Sequence, residues 1–505
     1  MINHNFSDST LRTYMMASAL GLLALAGCSD SNNGGEDQPM NSVPMPIVDG
    51  PIPGDASLPG PFFPGEGYEK AEYFISGTAY SYTNVNELSP SGDWQIQEAE
   101  AAQYTTRIII FSPIEKADFN QTVVVEWLNV SAGADLGNDW MLSHTELMRS
   151  GYTWVGVSAQ ARGVSALKAR DEARYAPLDH PGDSFSYSMY SQIGNLLSSK
   201  EGNSPLASLD AEIFLAAGES QSATRILTYV NALAIIDKMF DGYLIHSRYY
   251  SSAPLSQSPQ ADIPAPEVVL VREDFEVPVM MFQTESDVVA LRSYQSRQPD
   301  SPYFRLWETA GTAHADYYIT VTTNTDTGND PQVAAVFETA LFCDKPINMG
   351  PQHFLTNAAF SALNEWAKGG DLPPKAERLT LEGSPIRIAR DEYGIALGGI
   401  RSSFVDAPMA TLSGEGNSSE NFSFCNNLFG TTKLFDTQTL VSLYGDNSTY
   451  RDRVNAAADE AVSLGFMLTE DSALVKTYAA GFDLFGQSDD GAAGPGEGPR
   501  TQNSF

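Results

Sequence analysis

The chain has 505 residues, of which 18% are charged and 42% hydrophobic, and its formal net charge at pH 7 is −34. The length allows one enlarged domain or two domains, and the composition is that of a folded protein rather than a disordered one. Such an excess of acidic residues leaves no basic surface of the kind that binds nucleic acid, so nucleic acid is excluded as a partner.

The first 28 residues carry the pattern of an export signal. Arg12 precedes an apolar run at residues 15–26, which has the length of a signal peptide and is too short to span a bilayer. The run ends in L-A-G-C, which looks like a bacterial lipobox, where cleavage precedes Cys28 and lipid is attached to it. We therefore expect a signal peptide at residues 1–27 and an exported lipoprotein on the periplasmic or cell-surface face of the outer membrane. A plain secretory signal followed by a chance cysteine is the alternative.

Residues 28–66 are rich in serine, asparagine, glycine, aspartate and proline and show no periodic apolar pattern. This composition is typical of a flexible tether. Residues 486–505 have a similar composition, and we expect a disordered tail there. No apolar run after residue 27 is long enough to span a membrane, so the lipid is the expected membrane contact.

From residue 67 onward, strand patterns alternate with helical patterns. Apolar runs of strand length occur at residues 104–112, 122–130, 152–158, 213–217, 242–246, 277–282 and 303–307. Helical spacing of apolar residues occurs at residues 140–149, 184–198 and 221–236. This alternation predicts an α/β fold with a mostly parallel sheet that has helices on both faces.

A different pattern begins at about residue 320. Helical patterns occur at residues 332–342, 357–368 and 450–464, and residues 375–412 contain short strands with glycine turns. Pattern alone does not decide whether this part is a second domain. We interpret it as an elaboration of one domain that covers residues 67–485.

A serine lies in a tight turn between a predicted strand and a predicted helix. The sequence G-E-S-Q-S at residues 218–222 directly follows the apolar run 213–217, and apolar residues at helical spacing come next. This is the context of a nucleophile elbow with the pattern G-x-S-x-G. Ser222 replaces the last glycine, which is tolerable because that position needs a small side chain. Ser220 is therefore the candidate nucleophile.

A serine hydroxyl needs an adjacent base, which is itself oriented by an acid. His314 lies in a loop of small residues directly after the last predicted strand, where parallel sheets place catalytic groups. Asp287 lies in the loop after the preceding strand and leaves room for one helix and one strand before His314. We predict Ser220, Asp287 and His314 as catalytic residues, with Glu285 as the alternative acid.

The tetrahedral intermediate of acyl transfer also needs backbone N–H donors for its oxyanion. The first is expected to be the N–H of Gln221, directly after the nucleophile. The second is expected from the loop at residues 129–135, where small side chains let the backbone approach the substrate. We predict that the second donor in this loop is the N–H of Val130 or Ser131.

The predicted chemistry needs no metal and no cofactor. Besides Cys28, the chain contains Cys343 and Cys425. They are able to form a disulfide in an oxidising compartment, and a free buried pair is the alternative. Two cysteines without a histidine cluster do not make a zinc site.

Five stretches in a fixed order resemble a bacterial family of α/β-hydrolase-domain esterases. They are E-W-L-N-V-S-A-G (126–133), G-Y-T-W-V-G-V-S-A-Q (151–160), G-E-S-Q-S-A (218–223), T-E-S-D (284–287) and D-E-Y-G-I-A-L-G-G-I-R (391–401). The resemblance runs from about residue 68 to about residue 478. It implies an α/β-hydrolase fold, esterase-type serine hydrolase chemistry and a C-terminal elaboration of one hydrolase domain.

We therefore expect a serine hydrolase that cleaves a small-molecule carboxylic ester through an acyl-enzyme at Ser220. A lipase, an amidase or a thioesterase would use the same residues. A catalytically silent lipoprotein that binds a surface polymer or a partner protein is the alternative from another class. The ester substrate and the oligomeric state do not follow from the sequence.

Overall fold

A computed structural model of the chain describes residues 43–62 and 67–484. Its main sheet contains β1 (Ile47–Asp49), β2 (Tyr68–Asn84), β3 (Ile96–Pro113), β4 (Thr122–Trp127), β5 (Thr153–Val157), β6 (Ile213–Glu219), β7 (Gly242–His246), β8 (Val279–Gln283) and β9 (Phe304–Glu308). The strand order is β1-β2-β3-β5-β4-β6-β7-β8-β9. Neighbours are antiparallel from β1 to β5 and parallel from β5 to β9.

The helices lie between and after these strands. They are α1 (Asn138–Arg149), α2 (Ala161–Arg170), α3 (Glu172–Tyr175), α4 (Ser186–Ser198), α5 (Gln221–Tyr229), α6 (Ile235–Asp237), α7 (Glu285–Val289), α8 (Tyr317–Thr320), α9 (Gln352–Ala367), α10 (Ser403–Asp406), α11 (Thr437–Tyr444), α12 (Asn447–Ser463) and α13 (Thr469–Gly481). A π-helix, Val230–Ala234, connects α5 to α6. Two further hairpin-like pairs join β10 (Leu381–Glu382) to β11 (Arg387–Ile388) and β12 (Ala410–Ser413) to β13 (Thr431–Leu434).

The parallel part of the sheet is covered on both faces. In β4, Val123 and Val125 point into one apolar cluster, which includes residues of α4 and α5. Val124 points into another cluster, which includes residues of α1 and α9. Side chains alternate along a strand, so a strand with apolar residues at successive positions must be buried on both faces. The predicted mostly parallel sheet with helices on both faces is confirmed.

The antiparallel pair β2 and β3 extends far beyond the strand predicted at residues 104–112. β2 has 17 residues and β3 has 18, and they pair from Tyr68↔Pro113 to Asn84↔Ile96. The first residues of β3 are mostly exposed and include alanine, glutamate and glutamine. This half of β3 contains no apolar run, so the sequence pattern did not predict it. β2 was not predicted from the sequence either.

Part of the predicted tether packs on the domain. Val48 of β1 pairs with Ile75 of β2, and the Phe62 ring lies 4.8 Å from the Phe111 ring. Isolated apolar residues between prolines suit an extended edge segment, because proline cannot donate to an inner ladder. The assignment of residues 43–62 to a flexible tether was therefore wrong.

The remaining predictions for the chain ends fall outside the described residues. These are the signal peptide at residues 1–27, Cys28 with its lipid, tether residues 28–42 and 63–66, and the tail at 486–505. Across residues 43–62 and 67–484, no helix combines the length and the apolar character needed to cross a bilayer.

The helix predicted at residues 332–342 was also wrong. A short 3-10 turn, Pro331–Ala334, is followed by irregular chain. Val336 and Phe337 pack on the cluster around α12 and α13, whereas Phe342 makes an edge-to-face contact with Phe422 beside the cysteines. The apolar side chains of this segment thus reach two different clusters, which the single face of a helix does not allow.

The part after residue 320 is joined closely to the sheet. Ile400 N–H donates to the Glu308 carbonyl at 2.7 Å, and Ala310 N–H donates to the Ile400 carbonyl at 3.0 Å. Within this part, Cys343 and Cys425 form a disulfide. All described residues fall within a single compact unit.

Candidate active site

Ser220 lies in the turn from β6 to α5 with a φ of 60° and a ψ of −117°. A positive φ is unfavourable for a residue with a Cβ, so the surrounding structure must hold this backbone in place. The Ser220 N–H donates to the carbonyl of His246 in the neighbouring strand at 2.8 Å. The strained turn presents the serine hydroxyl at the carboxyl end of the sheet, as in a nucleophile elbow.

The elbow brings β6 and α5 very close together. A Cβ atom added to Gly218 would lie 3.0 Å from Ile226 Cγ1 and 3.1 Å from Ser222 Cβ. Ser222 is fully buried at this contact. A small side chain is therefore needed at residue 222, and serine satisfies this requirement as glycine would.

The structure brings together the three residues predicted to be catalytic. Ser220 Oγ lies 2.9 Å from His314 Nε2, and His314 Nδ1 lies 2.6 Å from Asp287 Oδ1. These distances are those of hydrogen bonds. A proton is thus able to pass from the Ser220 hydroxyl to His314, while Asp287 holds the other ring nitrogen.

Asp287 is held by several donors besides His314. Its Oδ2 accepts hydrogen bonds from Thr284 N–H at 2.6 Å, Thr284 Oγ1 at 2.7 Å and Ser247 Oγ at 2.8 Å. Burial would raise the pKa of Asp287, but the adjacent His314 and the Thr284 donors outweigh it and lower that pKa. Asp287 therefore stays ionised.

The rival acid, Glu285, is engaged elsewhere. Its carboxylate accepts from Gly311 N–H at 2.6 Å and Gly414 N–H at 3.0 Å, and it forms an ion pair with Arg390 at 2.7 Å. The carboxylate of this loop that contacts His314 is that of Asp287. Glu285 instead connects the His314 loop to the C-terminal part of the chain.

The candidate oxyanion donors differ in their surroundings. The Ser131 N–H donates to Asn129 Oδ1 at 2.8 Å, so its hydrogen is already engaged. Within the part of the chain that the structure describes, neither the Val130 N–H nor the Gln221 N–H donates a hydrogen bond. Gln221 is also the first residue of α5, where the helix dipole favours negative charge.

A buried ion pair anchors the loop that contains Val130. Asp135 Oδ2 lies 2.9 Å from Arg107 Nη2 and accepts from Ser158 Oγ at 2.5 Å. Arg107 and Asp135 are both buried. The loop is thereby tied to β3 and to the end of β5, and its Asn129 side chain donates to the carbonyl of Glu219, directly before Ser220, at 3.1 Å.

Sequence reasoning did not identify Glu219 as part of this site. Its carboxylate is 2% exposed, and its Oε1 lies 3.2 Å from His314 Nε2. Burial alone would lower the pKa of His314, but the carboxylates of Glu219 and Asp287 outweigh it and raise that pKa to about 9. A charged residue at the end of an apolar run of strand length, directly before the nucleophile, was the available signal in the sequence.

A second buried histidine–aspartate pair joins the end of β7, beside the serine turn, to α1. His246 Nδ1 is 2.7 Å from Asp139 Oδ1, and His246 Nε2 is 3.2 Å from the Gln352 amide nitrogen. Burial lowers the pKa of His246 to about 4 and raises the pKa of Asp139 to about 8. The pair therefore lies in a setting that disfavours charge on both partners.

The described residues contain no group of three or more histidine, cysteine, aspartate or glutamate side chains that could hold a metal ion. The polar groups around Ser220 are bonded to one another instead. The arrangement of nucleophile, base, acid and free backbone donors is suited to nucleophilic acyl transfer.

The sheet and the elbow define an α/β protein with a serine presented at the carboxyl end of a parallel sheet. The chain belongs to the family described as alpha/beta hydrolase domain, which matches residues 44–477. No match to this chain was found among curated proteins.

Among solved structures, the chain is similar to an arylesterase with 15% identity and a TM-score of 0.25, covering 41% of this chain and 71% of that one. It is similar to a fungal esterase from Rhizomucor miehei with 11% identity and a TM-score of 0.28, covering 58% and 85%. A Lactobacillus plantarum carboxylesterase has 11% identity and a TM-score of 0.26, covering 43% and 77%. At these values, neither their reactions nor their substrates are transferred to this chain.

Proposed function

We propose that this protein is a serine hydrolase that cleaves carboxylic esters through an acyl-enzyme at Ser220. The observation that carries the proposal is the continuous hydrogen-bond chain from Ser220 Oγ through His314 to Asp287. Nucleophile, base and orienting acid already lie within the distances that proton transfer requires.

In the first half-reaction, His314 Nε2 takes the proton from Ser220 Oγ, and this oxygen attacks the ester carbonyl carbon. The carbonyl oxygen becomes an oxyanion that accepts from the Gln221 and Val130 N–H groups. Collapse of the intermediate breaks the bond to the leaving alcohol, which takes the proton from His314. Asp287 stabilises the imidazolium throughout.

In the second half-reaction, a water molecule replaces the alcohol. His314 takes a proton from this water, whose oxygen attacks the acyl carbon on Ser220. The second tetrahedral intermediate collapses with release of the carboxylic acid, and the proton returns to Ser220 Oγ. Thioesters and amides would follow the same sequence, and an ester is favoured by the family resemblance of the sequence motifs.

We also propose that the protein is exported and anchored by lipid at Cys28, on the periplasmic or cell-surface face of the outer membrane. The L-A-G-C sequence supports this, and the Cys343–Cys425 disulfide agrees with an oxidising compartment. Metabolic labelling with a palmitate probe in a bacterial host tests it. The parent incorporates label, Cys28→Ala does not, and label retained in that variant would contradict the proposal.

Labelling with a fluorophosphonate probe tests the hydrolase proposal, because this probe modifies only activated serines. The parent is expected to be labelled, whereas Ser220→Ala and His314→Ala are not. Ser222→Ala is the matched control, since it removes a buried hydroxyl two residues away and leaves room for the same packing. A panel of esters, thioesters and amides then defines the bond that is cleaved.

A folded parent that the probe does not label would contradict the hydrolase proposal. The alternative of a catalytically silent protein that binds a surface polymer or a partner protein would then be pursued. Circular dichroism and thermal unfolding of each variant show whether a loss of labelling comes from loss of the fold.

A further inference from the structure

His314 contacts two carboxylates rather than one. Asp287 lies at Nδ1, as the proposed mechanism requires, and Glu219 Oε1 lies 3.2 Å from Nε2, the same nitrogen that contacts Ser220 Oγ. The proposed reaction assigns no task to Glu219. Glu219 is 2% exposed, and burying its carboxylate costs free energy that its surroundings must offset.

Glu219 is held in place by neutral donors. Asn138 Nδ2 donates to its Oε2 at 2.7 Å, and Asn129 Nδ2 donates to its backbone carbonyl at 3.1 Å. Among the described residues, Glu219 has no lysine or arginine partner. Burial raises the pKa of Glu219, and the charge of the adjacent His314 is the largest effect that opposes this rise.

We propose that Glu219 is a positioning residue: its carboxylate stabilises the imidazolium form of His314 and thereby sets the pH range in which His314 accepts the Ser220 proton. Neutral His314 with its hydrogen on Nδ1 presents a lone pair at Nε2, which suits the Ser220 hydroxyl. The imidazolium carries a positive charge 3.2 Å from Glu219 Oε1, and the neutral ring does not. Glu219 therefore favours the charged histidine selectively.

This selectivity has two opposite consequences for the reaction. At low pH it keeps His314 protonated and thus unable to take the serine proton. Above that range it stabilises the imidazolium that forms when Ser220 attacks, which lowers the barrier. The titratable groups that act on His314 are Glu219 from β6, Asp287 from α7 and His246 from β7.

Nuclear magnetic resonance of the full-length protein with isotope-labelled histidine tests the coupling without any assay of activity. The chain has six histidines, and the His314 signal is assigned by its loss in His314→Gln. In Glu219→Gln the His314 imidazole is expected to titrate about 1–3 pH units lower than in the parent, because a carboxylate at this distance is removed. Asp139→Asn removes a buried carboxylate from His246 instead and serves as the matched control.

The kinetic consequence rests on the proposed hydrolase function. The fluorophosphonate labelling rate is measured from pH 5 to pH 9.5 in the parent and in Glu219→Gln. We expect the two curves to cross: the variant reacts faster than the parent at pH 6 and more slowly at pH 9.5. A merely structural defect would lower the rate by the same factor at every pH.

The outcomes separate the two proposals. If His314 titrates at the same pH in the parent and in Glu219→Gln, the role of Glu219 is wrong even when the parent is labelled. If the titration moves but the folded parent is not labelled, the coupling stands and the hydrolase proposal fails. An equal movement in Asp139→Asn would also overturn the inference. If Glu219→Gln does not fold, Glu219→Asp is used instead, because its shorter side chain keeps the charge but holds it farther from His314. The His314 titration is then expected to shift to lower pH by a smaller amount than in Glu219→Gln.

Discussion

Two buried histidine–aspartate pairs have nearly the same distance between their partners but opposite shifts of the histidine pKa. His314 Nδ1 is 2.6 Å from Asp287, and His246 Nδ1 is 2.7 Å from Asp139. All four side chains are buried. The pKa of His314 is nevertheless raised to about 9, whereas that of His246 is lowered to about 4.

The surroundings of each pair explain the difference. Asp287 Oδ2 accepts hydrogen bonds from Thr284 and Ser247, which stabilise the carboxylate charge. Within the described residues, Asp139 Oδ2 has no hydrogen-bond partner, so burial disfavours its charge. A charged partner for the histidine is thus available in one pair only, and Glu219 adds a second carboxylate there.

The comparison shows that a short histidine–aspartate distance does not by itself identify a catalytic pair. What distinguishes His314 is the hydroxyl at its other nitrogen and the donors that keep its acid ionised. His246 has the Gln352 amide in place of a nucleophile. Variants that change one pair and leave the other intact are therefore expected to differ in their rate of serine labelling or ester hydrolysis.

The largest effect is expected from exchanging each aspartate for asparagine. Asp287→Asn should reduce kcat/KM by roughly 10⁴-fold, because the amide no longer fixes the histidine tautomer or stabilises the imidazolium. Asp139→Asn should reduce it by less than about tenfold, since His246 contacts no reacting atom. Steady-state hydrolysis of a reactive aryl ester measures both. Equal losses of kcat/KM in the two variants would contradict the prediction that only the His314–Asp287 pair takes part in catalysis.

The pH dependence of labelling is the next largest effect. Because the pKa of His314 is raised to about 9, only the small neutral fraction of His314 can take the serine proton at pH 7. The labelling rate should therefore rise roughly fiftyfold between pH 7 and pH 9, because the neutral fraction of His314 grows from about 1% to about one half. A plateau already reached at pH 7 would contradict this assignment.

The raised pKa of His314 also predicts that the free energy of unfolding falls over the pH range in which the labelling rate rises. The folded-state pKa of His314 lies above its ordinary value of 6.5, so the folded state binds this proton more tightly than the unfolded state. The stabilisation is fully present below pH 6.5 and is lost as the pH rises through 9. Urea unfolding of the parent and of His314→Gln checks whether this loss disappears with the histidine.

Glu285→Gln tests the rival acid of the same loop. It should lower kcat/KM by less than about tenfold, because Glu285 does not contact His314 in the structure. The free energy of unfolding should fall by about 1–3 kcal/mol, since Arg390 loses a buried partner. Parallel hydrolysis and urea-unfolding measurements separate the two effects. A loss of activity as large as that of Asp287→Asn would reverse the assignment of the acid.

The smallest effect on the rate is expected from the C-terminal disulfide. Replacing Cys343 and Cys425 by serine should lower the free energy of unfolding by about 2–4 kcal/mol, because the bond closes a loop of 82 residues. The rate at 25 °C should be nearly unchanged, since neither residue contacts Ser220, His314 or Asp287. Thermal unfolding with and without reductant measures the first effect. A large loss of labelling in the folded variant would show that this part of the chain supports the site.

The sequence predicted the parallel part of the fold well, because its signals are local. Apolar runs such as residues 213–217 and 242–246 are short, uninterrupted and bounded by turn residues, and β6 and β7 occupy them. The chain order of serine, acid and histidine then predicted which loops meet, since parallel strands end at one edge of the sheet. The structure accordingly brings Ser220, Asp287 and His314 together.

Other features were decided by contacts distant in sequence. Residues 332–342 have a helical pattern, yet their apolar side chains are divided between two clusters that form only when the rest of the chain has folded. β1 and the outer part of β3 depend in the same way on the strand beside them. Local propensity is weak compared with such tertiary packing.

The sequence by itself therefore determined the fold class, the strained serine turn and the identity of the candidate base, because each follows from a pattern within a few residues. Only the tertiary structure showed that Asp287 rather than Glu285 contacts His314, and only it placed Glu219 against the histidine. The opposite pKa shifts of His314 and His246 also depend on the tertiary structure. The physical reason is that the charge state of a buried group depends on every donor and carboxylate around it. Those groups come from strands and helices that lie up to 107 residues apart, as Asp139 and His246 do, so no local pattern records them.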